Sequence, residues 1–180
     1  MSRRNTREME SVMRRQDDAL SHIPTGSLDL GSATYQRRGI IDTDVQPYIP
    51  EGWTVSEHRA TGLLQFLSGK IELYYSRSQL LGNAVLGKKL REELKAKKTL
   101  NASVLDYLLA HPECIPESWK FDDEGSFQYI FFWGTEYSFP GGGVFIRCLY
   151  WNTETARWCS DYRGLESQWG SSSPHVIDAS

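Results

Sequence analysis

The sequence predicts a single α+β domain preceded by an arm, and three observations lead to this fold class. A chain of 180 residues is long enough to bury one sizeable core without disulfides or a metal. Apolar residues recur at helical spacing between residues 85 and 110, and at strand spacing after Pro116. Five of the six tryptophans lie in the second half of the chain, where the strands are predicted.

The composition excludes several classes of protein. With 20 basic and 23 acidic residues the net charge is −3, which rules out a globally basic nucleic-acid binder. Cys114, Cys148 and Cys159 are an odd number without zinc-ribbon spacing, so we interpret them as buried small side chains. The basic residues near position 1 are not followed by the apolar region that a signal peptide requires, and no apolar run of about 18 residues occurs. We therefore expect a soluble chain with no membrane insertion, nucleic-acid partner, metal or cofactor.

Residues 1–48 are predicted to form an arm that contains one helix and a loop-rich segment. Asn5 is a candidate cap for a helix over 5–20, whose narrow apolar stripe runs from Met9 to Leu20. Such a helix is marginal alone, so it docks, frays or joins a second copy in an oligomer. From 21 to 54 the composition is typical of loops, with apolar islands at Leu28–Leu30 and Ile40–Ile41.

The domain itself, residues 49–180, is predicted to begin with short strands followed by two helices. Residues 63–75 predict two strands or a hairpin around Ser68 and Gly69. A helix over 85–97 follows, with one stripe formed by Leu86, Leu90 and Leu94. The second helix starts at Asn101 or Ser103 and ends at Pro112, and its buried stripe is Val104, Leu105, Leu108 and Leu109. We expect the two helices to pack in one layer.

The second half of the chain alternates with the period of strands. Residues 129–139 predict a strand with Tyr129, Phe131, Trp133, Tyr137 and Phe139 on one face and Ile130, Phe132 and Glu136 on the other. Residues 144–151 form a nearly continuous apolar run that is typical of a central strand covered on both faces. Residues 157–162 are predicted to be its hairpin partner.

Three groups of residues suggest an enzyme, and each has a structural interpretation that we favour. The segment GNAVLGKK at 82–89 fits a phosphate-binding loop except that Lys89 replaces the magnesium-binding hydroxyl. His111 and Cys114 are too few for a closed zinc site, and His58 beside Glu57 does not face it on a helix or strand. The alternative function is therefore a nucleotide-binding or hydrolytic enzyme that uses Gly82 to Lys88, with His111 or His58 as acid or base.

The last thirty residues interleave bulky aromatic side chains with small polar ones. Trp151, Trp158 and Trp169 recur among Asn, Thr, Ser, Asp, Arg and Gly residues. This is the composition of a polar loop over an aromatic core, and also that of paratopes, in which rigid aromatics alternate with adaptable side chains. The two interpretations remain open on pattern alone.

The motifs IPESWK, FFWGTEY, VFIRCLYW and RWCSDYRGLESQW between residues 115 and 169 resemble the variable proteins of diversity-generating retroelements. The resembling proteins come from uncultivated bacteria, archaea and their viruses. In that family a reverse transcriptase substitutes residues encoded by template adenines near the C-terminus, and spares tryptophan codons. Glu166 and Gln168 are not reachable from an Asn codon. The resemblance implies a variable region near 150–175 with the ligand-binding residues Thr153, Cys159, Asp161, Arg163, Ser167, Gly170, Ser172 and Ser173.

The resemblance also implies a C-type lectin fold and a non-enzymatic function. Tyr150, Trp151, Trp158 and Trp169 would be the scaffold that holds the variable residues on one surface. The partner implied is a protein or glycan ligand on a host or neighbouring cell surface. Virion association and cell-surface display are both compatible with the resemblance, and the oligomeric state is left open.

Overall fold

The computed structural model describes residues 39–66 and 70–180. The chain divides into two units, residues 1–38 and residues 39–180, and the account below concerns the second. The predicted helix over 5–20 and the apolar segment Leu28–Leu30 lie outside the described residues. The domain was expected to begin at Ile49, and the second unit begins ten residues earlier, because it includes the first strand and Tyr48. The Tyr48 backbone N–H donates to Asp106 Oδ2 at 2.7 Å.

The described chain contains eleven strands, three α-helices and two short 3-10 turns. The strands are β1 Ile40–Asp42, β2 Thr54–His58, β3 Leu63–Gln65, β4 Ile71–Tyr74, β5 Val85–Leu86, β6 Tyr129–Phe131, β7 Thr135–Ser138, β8 Val144–Asn152, β9 Arg157–Gly164, β10 Gln168–Trp169 and β11 His175–Asp178. The helices are α1 Arg77–Leu80, α2 Gly87–Leu94 and α3 Ala102–Ala110, and the 3-10 turns are Pro112–Cys114 and Glu117–Trp119. This content is α+β, as predicted.

A curled seven-stranded sheet organises the domain around β8. Strands β7 and β6 pair antiparallel with β8 along one side, and β9 pairs with it along the other. β2 extends the sheet beyond β7, while β11 lies parallel to β6 and antiparallel to β4. Two small pairs stand apart, β1 with β3 and β5 with β10. Residues 63–75 therefore form two separate strands and not a hairpin, because β3 and β4 have different partners.

The two longer helices cover opposite faces of the sheet, so the prediction of one helical layer is wrong. Leu90 of α2 packs with Ile146 and Cys148 of β8. Leu105 of α3 packs with Leu149, which points to the other side of the same strand. The physical reason is that β8 carries large apolar side chains on both faces, and each of these faces needs a cover.

The predicted continuous strand over 129–139 is interrupted, and this changes which residues share a face. Phe131 lies on the α2 side, as its period predicts, but Tyr137 lies on the α3 side, where its hydroxyl donates to Tyr48 O at 3.2 Å. The break is at Gly134, where an added Cβ would meet Asn101 at 2.8 Å. This close approach turns the chain between β6 and β7. The faces predicted for Tyr137, Phe139 and Glu136 are therefore wrong: Phe139 packs with Phe145, and Glu136 binds Arg91 of α2.

The helix ends follow local chemistry. Asn101 caps α3, since its side chain accepts from the Val104 N–H at 3.4 Å. α2 starts at Gly87 and not at residue 85, because Val85 pairs with Trp169 in the small β5–β10 sheet. Within residues 39–66 and 70–180, no helix combines the length and the apolar character that crossing a membrane requires.

Candidate functional site

Strand β9 presents different residues to the two sides of the sheet. Trp158 belongs to the core cluster under α3, and Tyr162 packs against Tyr137 on that side with ring centroids 5.2 Å apart. Arg163 points to the opposite side, where its guanidinium carbon lies 5.4 Å from the Phe131 ring centroid. Because strand residues alternate, Cys159 and Asp161 share the face of Arg163. Three of the eight predicted ligand-binding residues therefore lie on one face of one strand.

A half-buried surface surrounds Arg163 on this side of the sheet. Its guanidinium carbon lies 5.7 Å from the Tyr129 ring centroid and 5.5 Å from that of Trp169. The Tyr129 and Tyr150 rings pack 5.4 Å apart. The Tyr129 N–H also donates to Ser172 O at 2.9 Å, which brings the loop of residues 170–173 beside the sheet. We name as the Arg163 surface the half-buried residues Tyr129, Tyr150, Asp161, Arg163, Gly170 and Ser172.

A buried hydrogen-bond network holds the 170–173 loop in place. The Gln79 amide nitrogen donates to the carbonyl oxygens of Gly170 at 2.9 Å and Ser173 at 3.0 Å. The Gln79 amide oxygen in turn accepts from the Ser76 N–H at 2.9 Å and lies 3.1 Å from His175 Nε2. The loop is thus tied to α1, which lies far away in sequence.

His175 completes this network as a neutral side chain. Trp133 Nε1 donates to His175 Nδ1 at 2.8 Å, so Nδ1 is an acceptor and the ring proton is on Nε2, facing Gln79. Burial lowers the pKa of His175 to about 3, because the charged imidazolium would lose its hydration. The hydrogen-bond network of Gln79 and His175 that holds the 170–173 loop is therefore uncharged at neutral pH.

The eight predicted ligand-binding residues fall into three groups. Asp161, Arg163, Gly170 and Ser172 belong to the Arg163 surface. Thr153 and Ser167 are exposed but lie beyond opposite ends of β9, roughly 25 Å apart at about 3.3 Å per strand residue. Cys159 is only 8% exposed, and Ser173 is fully buried with its hydroxyl accepting from Arg163 Nη1 at 2.7 Å.

The predicted scaffold aromatics lie at different depths. Trp169 is fully buried, and its ring packs 4.2 Å from Phe131 and 5.0 Å from Trp133, measured between centroids. Trp158 is also buried, edge to face with the half-buried Trp151 at 5.5 Å. Gly87 lies against Trp169, where an added Cβ would be 2.6 Å from the indole nitrogen. Tyr150, the fourth, is part of the Arg163 surface itself.

Several residues that matter to the site were not singled out from the sequence. Gln79 is 91 positions away from Gly170, and no local pattern links them. Arg147 had a signal, since it interrupts an apolar run, and it proves to be a fully buried charge. Its Nη1 donates to Asp106 Oδ1 at 2.5 Å, and its Nη2 donates to Ser160 Oγ at 3.1 Å. This pair fixes β8 and β9 against α3.

Backbone and side-chain groups of the segment 82–89 form contacts within the protein. The N–H groups of Gly87 and Lys88, which would face a phosphate in a nucleotide-binding loop, donate to Ser167 O at 3.1 Å and Leu165 O at 3.2 Å. The Lys88 ammonium pairs with Glu166 at 2.7 Å. These contacts favour the structural interpretation, a glycine-containing turn that precedes β5 and the start of α2.

The histidines of the enzyme alternative make structural contacts. His58 Nδ1 lies 2.8 Å from Thr135 Oγ1, and its Nε2 lies 3.0 Å from Thr43 O. His111 packs on Tyr107 at the end of α3, with ring centroids 4.4 Å apart. Among the residues that the structure describes, no three His, Cys, Asp or Glu side chains are grouped so as to hold a metal ion.

A comparison of the chain with protein-family models, curated proteins and solved structures finds no match.

Proposed function

We propose that the protein is a non-enzymatic ligand-binding module of C-type lectin type whose C-terminal surface is diversified by a retroelement. One observation carries this proposal: the two faces of β9 separate residues predicted to vary from residues that build the core. Asp161 and Arg163 lie in a half-buried surface, whereas Trp158 and Tyr162, at alternate positions of the same strand, pack on the opposite side against the core. Substitution at alternate positions of such a strand changes the surface and leaves the core intact.

The element order supports the C-type lectin part of the proposal. A strand, β4, precedes the helices α2 and α3, with the short α1 and β5 between them, and the strands β6 to β9 follow. The loop of residues 170–173 and the β9 strand then bring their residues to one surface. This is the order and the display that the resemblance to retroelement variable proteins implies.

The framework around the Arg163 surface supports a binding role through preorganisation. The loop of residues 170–173 is tied to Gln79, and the buried rings of Phe131 and Trp169 pack against each other beside Arg163. A surface that is already ordered loses little conformational entropy when a ligand binds. Many of its side chains are small, so we expect a shallow site of modest affinity, which several copies would strengthen.

The geometry also narrows the set of contact residues. We assign the ligand contacts to the variable residues Asp161, Arg163, Gly170 and Ser172, together with the aromatic pair Tyr129 and Tyr150. Thr153 and Ser167 lie outside this surface. Cys159 and Ser173 are buried, so their substitution would affect the surface indirectly. The ligand is a protein or glycan on a host or neighbouring cell surface.

The experiment that tests the proposal is deep sequencing of the final hundred or so bases of the gene across its natural population, compared with any near-copy of that segment nearby. We expect substitutions at template-adenine codons, with Trp158 and Trp169 unchanged. Burial adds a structural expectation: Asp161 and Arg163 vary widely, whereas Cys159 and Ser173 accept small side chains only. Even variation along the segment, or no near-copy, would overturn the retroelement assignment.

A further inference from the structure

Two phenylalanines lie together outside the core of the domain. Phe121 and Phe127 face each other across an antiparallel bridge, and their ring centroids are 5.3 Å apart. Phe121 is 39% exposed and Phe127 is 47% exposed, and neither belongs to the two core clusters of the described chain. A single exposed apolar side chain is normal on a protein surface, whereas a contiguous apolar patch with a polar rim is typical of an interaction site. We name residues 121–127 the Phe hairpin.

Hydrogen bonds within the Phe hairpin hold its turn. The Asp122 N–H donates to Ser126 O at 2.9 Å, and the Gly125 N–H donates to Asp122 O at 3.0 Å. Asp122 Oδ1 accepts from the N–H groups of Glu124 at 3.0 Å and Ser126 at 2.7 Å. Because these bonds fix the turn, the two rings are presented with little conformational entropy left to lose when a partner binds.

Three carboxylates form the polar rim of the two rings. Asp122, Asp123 and Glu124 are consecutive, and no Lys, Arg or His among the described residues forms an ion pair with them. Lys120, the nearest basic residue along the chain, pairs instead with Glu117 at 2.7 Å. The Phe hairpin therefore combines an exposed apolar pair with negative charge that no neighbouring side chain neutralises.

This negative charge decides which kind of partner fits the apolar pair. The pKa of Tyr75 is raised by burial and then by the charges of Asp122 and Asp123, so their field reaches the neighbouring surface. Nucleic acids and anionic lipid surfaces are themselves negative and are repelled by such a field. A basic protein segment with apolar side chains satisfies both features, because its cations are attracted by the carboxylates and by the faces of the rings.

We propose that the Phe hairpin is a docking site for a basic segment of a partner protein, whose apolar side chains pack on Phe121 and Phe127 while its Lys or Arg side chains face the carboxylates of the turn. Residues 121–127 lie outside the variable region near 150–175. On the proposed function, the docking site is therefore the same in every version of the protein, and its partner is constant and distinct from the varied ligand. Only this last point rests on the proposed function.

The test is a titration of the full chain with the synthetic peptide Lys-Leu-Lys-Lys-Leu-Lys, acetylated and amidated at its ends, followed by the NMR signals of the two phenylalanine rings. Two matched peptides replace the lysines by glutamine or the leucines by serine. We expect saturable shifts with the first peptide below about 1 mM, and at least about fivefold weaker binding of each matched peptide. No shift with the first peptide, or equal binding of either matched peptide, would overturn the inference.

Charge variants locate the site on the chain. Asp123→Asn combined with Glu124→Gln should weaken binding of the lysine-leucine peptide about fivefold or more, because it removes two attracting charges. Asp122 is left unchanged, since its carboxylate holds the turn. Glu51→Gln combined with Glu72→Gln removes two exposed carboxylates elsewhere and is the matched control. Equal weakening by the control would assign the effect to net charge and exclude the site.

A second variant tests the apolar half of the site. Phe127→Ala should weaken peptide binding about fivefold or more, measured on the Phe121 ring signal, because it removes one of the two packed rings. The melting temperature should stay within a few degrees, since the side chain is exposed. Leu63→Ala, at a leucine that is 73% exposed, is the matched control and should leave peptide binding unchanged. Binding that Phe127→Ala does not weaken would contradict the proposed packing.

Two further measurements distinguish other occupants of the Phe hairpin. We expect no binding of the chain to vesicles of phosphatidylcholine and phosphatidylserine, and binding that Phe127→Ala abolishes would make the occupant a lipid surface. We also expect no dimer in analytical ultracentrifugation that Asp123→Asn with Glu124→Gln dissociates, since such a dimer would make the occupant a second copy. Either result would overturn the assignment to a basic partner protein.

The failure of this inference and of the proposed function have different signatures. Peptide binding at the Phe hairpin in a gene without codon-directed variation would keep the docking site and remove the retroelement. Codon-directed variation without peptide binding would remove only the docking site.

Discussion

The two faces of strand β9 make different demands on their residues. On the α3 side, Ser160 and Tyr162 surround Arg147, a fully buried charge that is balanced by Asp106. On the other side, Asp161 and Arg163 remain half-exposed beside a row of aromatic rings. The first face tolerates little change because the buried Arg147 guanidinium depends on Asp106 and on the Ser160 hydroxyl. The second face can exchange its side chains, and this separation is what makes diversification compatible with a stable fold.

The largest expected effect is on the buried face. Asp106→Ala leaves the Arg147 guanidinium without its carboxylate partner, and breaking such a pair costs about 3 kcal/mol or more of unfolding free energy. We take the lower end because Asp106 is 29% exposed. Chemical denaturation measures the change. Asp161→Ala, on the opposite face of the neighbouring strand, is the matched control, and a similar loss there would contradict the distinction between the faces.

The next largest effect is expected from the network that holds the 170–173 loop. Gln79→Ala removes the side-chain donor of the Ser173 carbonyl oxygen and leaves the Gly170 carbonyl oxygen with the Ser173 N–H alone, which should lower stability by about 1 to 3 kcal/mol. Amide hydrogen exchange in residues 170–173 should also accelerate. Gln168→Ala, an exposed glutamine in β10, serves as the control and should leave both measurements unchanged. Equal exchange rates in the two variants would show that Gln79 does not order the loop.

A pH dependence is expected from His175. Its pKa is lowered to about 3 in the fold, below the ordinary unfolded value of about 6.5, so the unfolded chain binds a proton that the folded chain does not. The stabilisation is fully present above about pH 6.5 and is lost progressively as pH falls towards 3, by at most about 1.4 kcal/mol per pH unit. Denaturation between pH 7.5 and 5.5, where carboxylates hardly titrate, measures this slope. His175→Gln should lack it, and an equal slope in that variant would assign the effect elsewhere.

The smallest effects are expected on the Arg163 surface. Exchange of Asp161 or Ser172 for Asn should change stability by about 0.5 kcal/mol or less each, so the melting temperature stays within a few degrees. Ser173→Asn should lower the free energy of unfolding by more, about 1 to 3 kcal/mol, because Ser173 is fully buried and the larger side chain does not fit. A collapse of the fold on exchange at Asp161 and Ser172 would contradict the proposed scaffold.

Much of the fold follows from local pattern. The strand period predicted β8 and its hairpin partner β9, and the apolar spacing together with Asn101 predicted α3. The errors lie where a long-range contact overrides the pattern. Gly134 approaches Asn101 so closely that the strand turns, and this moves Tyr137 to the other face. The strand period around Tyr137 does not predict that change, because Asn101, which Gly134 approaches, lies 33 positions before Gly134 in the sequence.

The sequence by itself determined the α+β composition, the aromatic core of the second half and the alternation along β9, because these depend on spacing within one segment. Only the tertiary structure decided that α2 and α3 cover opposite faces, that Ser173 is buried while Ser172 is not, and that Arg163 donates to the Ser173 hydroxyl. Each of these depends on segments brought together from distant parts of the chain. The strand period predicts which side of a strand a residue faces. Only tertiary packing decides which other residues it contacts on that side.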